Sequence, residues 1–169
     1  MSQFQRISKA HILKYLRPNK VVVLLGPRRV GKTFLINQIL SETSEPYLFL
    51  NGEDIATREL FVRRSQAALE QLLNGKRLLI IDEAQKIPDI GNVLKLMVDT
   101  IEGLKVLITG SSAFDVENYT GEPLTGRKIT FNLFSISEQE LSQVIPVTRK
   151  ADQLQSSLIY GNYPELLQA

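Results

Sequence analysis

Short apolar runs alternate along this chain with segments whose apolar residues recur at helical spacing. The runs cover residues 21–25, Tyr47–Asn51, Leu78–Asp82, 105–109 and 128–133. Their lengths and bounding turn residues predict strands, and the first four are continuous enough to be buried on both faces. Between them, periodic segments predict helices over 8–16, about 32–40, about 57–73 and about 90–102. The helix over 57–73 is expected to bury Leu60, Phe61, Ala67, Ala68 and Leu72 and to stop at Asn74-Gly75. Ser137, with Glu140 three residues later, predicts a capping box at the start of a further helix. Strands alternating with helices predict an α/β fold, a three-layer α/β/α sandwich around a mostly parallel sheet of about five strands. No linker divides the chain, so one domain is expected over 1–169. It comprises a short N-terminal helix (about 8–17), a core (about 20–145) and a C-terminal helical segment (about 150–169).

Composition narrows the chemistry. Apolar residues make up 43% and charged residues 22% of the 169, ordinary values for a globular domain. Twenty basic and 18 acidic side chains leave a net charge of +2, which gives no global footprint for nucleic acid. The absence of cysteine excludes disulfides, thiol nucleophiles and thiolate-held metals. The longest apolar runs are too short to cross a bilayer, and the first residues lack a signal-peptide core, so a cytoplasmic location without membrane attachment is expected.

Residues 26–33 read GPRRVGKT and fill the phosphate-binding pattern G-x-x-x-x-G-K-[ST] between a predicted strand and a predicted helix. In that setting Gly26, Pro27, Arg28, Arg29, Val30 and Gly31 form a turn whose backbone N–H groups face a triphosphate, and Phe34 continues into the helix. Lys32 is expected to reach the β- and γ-phosphates, and Thr33 to place its hydroxyl on Mg²⁺. The strand LLIID ends in Asp82-Glu83 and resembles the second acidic motif of P-loop ATPases. By that resemblance Asp82 orients Mg²⁺ and Glu83 polarises the attacking water as a general base. ATP and Mg²⁺ are the cofactors expected.

Taken together, GPRRVGKT, the strand ending in Asn51, LLIIDEAQ, LITGSSA, the LTGR at 124–127 and the late GNYPE resemble a group of AAA-like ATPases related to the STAND class. These are bacterial and archaeal proteins whose ATPase domain usually precedes a C-terminal domain of unknown function, and this chain stops where that domain would follow. Asn162 departs from the group's usual second glycine. The resemblance implies a polar residue ending the fourth strand that senses the γ-phosphate, for which Thr109 and Ser111 both qualify. It implies that Asn51 either restrains the catalytic glutamate or simply ends its strand. Arg127 is expected to act as an arginine finger in the same or a neighbouring chain, or to serve only its turn. The reading is Mg²⁺-dependent ATP hydrolysis driving a conformational switch, with a possible homo-oligomer and an unknown protein or nucleic-acid partner. A binding switch with little turnover, or a small-molecule kinase, are the alternatives. No guanine-specifying Asn-Lys-x-Asp follows the fourth strand.

Overall fold

The computed structural model describes residues 5–111 and 123–143 together with Asn162. Five strands, β1 (Lys20–Leu25), β2 (Tyr47–Asn51), β3 (Leu78–Asp82), β4 (Lys105–Gly110) and β5 (Lys128–Asn132), form one sheet in the order β2-β3-β4-β1-β5. Every pairing is parallel. Parallel neighbours need crossovers, and the helices α1 (Ser8–Tyr15), α2 (Lys32–Glu42), α4 (Gln66–Leu73) and α5 (Ile90–Thr100) cover the sheet, with the short α3 (Ile55–Leu60) between β2 and α4. A short α6 (Glu138–Leu141) follows β5.

Successive strand residues point to opposite faces, which divides the core into two layers. Val21, Val23, Leu79, Ile81, Val106 and Ile108 pack with Phe61, Leu69, Leu73, Leu94 and Met97 on one side. Val22, Leu24, Ile80 and Leu107 pack with Ile12, Leu35, Ile36 and Ile39 on the other. The result is the three-layer α/β/α sandwich expected of a P-loop fold.

Two expectations are corrected. β2 is not buried on both faces: it is the edge of the sheet, with Tyr47 and Phe49 both more than a third exposed while Leu48 and Leu50 pack on the core. The helix over 57–73 is two helices. Phe61 ends the first by turning into the core, and Ser65 caps the second by accepting the Ala68 N–H at 3.3 Å. The break changes the phase, so Leu69 and Leu73 are buried whereas Leu60 and Ala67 face solvent. The Ser137–Glu140 capping box forms as expected. Ser112 and Ala113, and the GNYPE segment with its helix, lie outside the described residues except for Asn162. Its carbonyl accepts the Ile136 N–H at 2.8 Å.

Candidate functional site

The order β3-β4-β1 brings the carboxyl ends of three central strands side by side, the place where ligands gather in open α/β sheets. The loop after β1 closes tightly on its surroundings. Gly26 donates to the Gly110 carbonyl at 3.3 Å, and a Cβ on Gly26 would lie 2.5 Å from the Leu133 carbonyl, so only glycine fits. Arg29 and Gly31 both take positive φ (67° and 93°), which turns the chain back into α2. Val30 is buried beneath the loop, whereas Pro27, Arg28 and Arg29 are exposed. Phe34 is half-buried in the first turn of α2. No side chain caps α2, and its first turn carries no acidic residue. Its leading N–H groups, with the positive end of an 11-residue helix behind them, therefore suit an anion.

Lys32 is buried, and its ammonium donates to the carbonyls of Gly26 (3.0 Å) and Pro27 (3.1 Å). It lies 3.9 Å from Glu83 Oε1. The loop carbonyls thus hold the lysine across the mouth of the turn, on the side where the carboxylates stand. Thr33 donates its hydroxyl to Asp82 Oδ2 at 2.7 Å, and Thr109 donates to Asp82 Oδ1. Asp82 is 6% exposed, so both its oxygens are committed inside the protein. Thr33 and Asp82 form a pair of hard oxygen donors of the kind a small divalent cation takes. Thr109, fully buried, also accepts the Glu83 N–H at 3.0 Å. One hydroxyl from β4 therefore fixes two consecutive acidic residues. Its single proton goes to Asp82. Ser111 lies just past the end of β4 and is half-buried.

The structure brings together Lys32, Thr33, Asp82, Glu83 and Thr109, but not Arg127. Arg127 precedes β5, and its carbonyl accepts the Val21 N–H at the amino end of β1. Four strand steps, about 13 Å, separate that end from the phosphate loop. Its guanidinium pairs with Asp99 at 2.5 Å, and that hydrogen bond raises its pKa above the usual value. Asn51, in register with Asp82, engages its own loop. Its Oδ1 accepts the Glu53 N–H at 2.9 Å in a local turn.

Sequence reasoning missed three residues. Gly52 donates to the Asp82 carbonyl at 2.8 Å, and a Cβ there would sit 2.4 Å from the Glu83 carbonyl. Its position between a strand and an acidic turn was the available signal. Gln85 donates its side-chain amide to Glu83 Oε2 and stood unassigned within DEAQ. Arg6 reaches the loop from the amino-terminal segment, donating to the carbonyls of Val30 (3.0 Å) and Phe134 (2.7 Å). It ion-pairs with buried Glu140 at 3.1 Å. Burial pushes the Arg6 pKa down, and Glu140 opposes that shift. No local pattern marks a contact between residues so far apart in the chain.

Comparison with known proteins agrees with this fold. The family described as "AAA domain" matches residues 18–142. An uncharacterized protein of Mycobacterium tuberculosis is 34% identical over 124 residues, covering 73% of this chain and 27% of its own length. An uncharacterized protein of Methanocaldococcus jannaschii is 27% identical over 128 residues, covering 74% and 29% respectively. The replication factor C large subunit of Pyrobaculum arsenaticum is 28% identical over 134 residues, covering 75% and 31%. The chain thus spans less than a third of the length of these relatives. Among the described residues, no helix is long and apolar enough to cross a membrane. With its phosphate loop, its acidic strand end and its parallel sheet in the order β2-β3-β4-β1-β5, the chain belongs to the AAA family of P-loop ATPase domains, whose members bind nucleotides.

Proposed function

We propose that this domain binds ATP with Mg²⁺ and hydrolyses the terminal phosphate, coupling the cycle to a conformational change in a larger protein. The observation that carries the reading is the hydrogen-bonded chain from Thr33 through Asp82 to Thr109 and the Glu83 backbone. It ties the phosphate loop to the Asp82 carboxylate, to the Glu83 backbone and to the end of β4.

The donor set fits Mg²⁺. That ion uses one or two protein oxygens and completes its shell with water and phosphate oxygens, and Thr33 with Asp82 offers such a pair. When bound, the ion would neutralise charge on the β- and γ-phosphates. The protein's own residues do the rest. The uncapped start of α2 and the loop N–H groups hold the phosphates, and Lys32 exchanges its loop carbonyls for phosphate oxygens. Glu83 accepts a proton from the water that attacks the γ-phosphorus, and ADP leaves with its new terminal oxygen unprotonated.

Thr109 serves this scheme by positioning, because its proton is spent on Asp82. The γ-phosphate-sensing donor falls to Ser111. For Arg127, its place at the far end of the sheet from its own loop leaves action on a neighbouring chain or service to its own turn. Titration of the domain with ATP, GTP and ADP, with and without Mg²⁺, followed by phosphate release, tests the reading. Tight Mg²⁺-dependent ATP binding with release supports it, and affinity without release reduces the domain to a binding switch.

A further inference from the structure

We propose that Gln85 is the residue that positions Glu83, holding its carboxylate toward the phosphate site. The inference rests on the ATPase reading above for its catalytic consequence, and on the geometry for the contact itself. Glu83 has its backbone fixed: φ is 51°, and its N–H is bound by Thr109. Its side chain is a separate matter. Oε1 stands 3.9 Å from the Lys32 ammonium, and Oε2 accepts from Gln85 Nε2. One oxygen thus faces the phosphate-binding lysine while the other is tethered from behind.

The tether is rigid. Gln85 lies in a 3₁₀ turn (Ala84–Lys86) closed by the Lys86 N–H to the Glu83 carbonyl and the Ile87 N–H to the Ala84 carbonyl, both at 3.0 Å. Ala84 and Ile87 are fully buried on either side, so the turn is anchored in the core. A carboxylate only accepts, so the amide must present its NH₂ to Glu83. That orientation leaves Gln85 Oε1 buried with no partner among the described residues. Burying an unpaired acceptor is unfavourable, so the bond to Glu83 is what keeps the amide in place. Asn51, the residue that the family pattern suggests for handling this glutamate, has its Oδ1 engaged by the Glu53 N–H.

The test is kinetic, using Gln85→Met, which keeps the side chain's length and removes the donor. We expect kcat for ATP to fall about 10- to 100-fold, the scale of a misplaced catalytic group, with KM unchanged. In a Glu83→Gln background the same substitution should cause no further loss, because Gln85 acts only through Glu83. An unchanged or raised kcat overturns the proposal, as does a loss that adds fully to that of Glu83→Gln. A fall in kcat matched by lost ATP affinity assigns Gln85 to packing and overturns it too. A nucleotide-free readout separates this inference from the ATPase reading. The Gln85 side-chain amide resonance should move in Glu83→Ala. If it moves while the parent shows no turnover, the contact stands and only the ATPase reading fails. If it does not move, the positioning role is wrong.

Discussion

Thr33 and Asp82, 49 residues apart, share a 2.7 Å hydrogen bond that joins the start of α2 to the end of β3. The bond sets a hydroxyl and a carboxylate at the spacing of two neighbouring ligands on one small cation. Asp82 simultaneously receives the Thr109 hydroxyl, so its orientation is fixed from both sides. Replacing Asp82 by Asn keeps the shape but removes the charge. The expected outcome is that ATP affinity no longer responds to Mg²⁺, with a stability loss of about 1–2 kcal/mol from the weakened bonds to both threonines. Calorimetric titration with and without Mg²⁺, alongside urea unfolding, checks it. A variant that retains the full Mg²⁺ response would remove Asp82 from the metal site.

Arg6 and Glu140 give a prediction about stability. Both are buried, and Glu140 also accepts the N–H groups of Ile7 (2.8 Å) and Ser137 (2.9 Å). Glu140→Gln leaves the Arg6 charge buried without its counter-charge. Breaking one partner of such a pair costs about 3–5 kcal/mol. Denaturant midpoints should show that loss. Because Arg6 also holds the Val30 carbonyl, the phosphate loop should loosen and ATP affinity should fall with it. A variant of parental stability and affinity would contradict this account of the clamp.

Much of this architecture was legible in the residues, and the exceptions have physical causes. The apolar runs located all five strands, most plainly the central β1, β3 and β4, which are buried on both faces and leave little room for polar residues. GPRRVGKT and the Asp82-Glu83 strand end marked in the sequence two segments that the fold brings side by side, because each pattern is local. The exposed face of β2 was not legible, since strand order in a sheet is not written in any one strand. The split at Phe61 was masked by apolar residues that continue at nearly helical spacing through 57–73. Arg6, Gly52 and Gln85 escaped because their roles depend on contacts with Glu140, Asp82 and Glu83 that only the folded chain creates.

Arg127 yields a prediction about assembly. If it completes a neighbour's site, ATPase activity per chain should rise with protein concentration. Arg127→Ala should lose turnover and keep affinity, because a finger meets charge that develops in the transition state. Mixing it with Glu83→Gln should restore part of the activity through interfaces that join an intact Glu83 to an intact Arg127. A concentration-independent rate, with no rescue although the two variants associate, would assign Arg127 to its turn and its pairing with Asp99.

The central claim is that Glu83 activates water at an ATP site built from this one chain's phosphate loop and acidic strand end. Phosphate release by Glu83→Gln, measured beside its ATP affinity, addresses that claim most directly. The account predicts ATP binding as tight as in the parent and turnover lower by about 10²- to 10⁴-fold, the usual contribution of a general base. Turnover equal to that of an active parent, at equal affinity, would contradict it and place the base elsewhere.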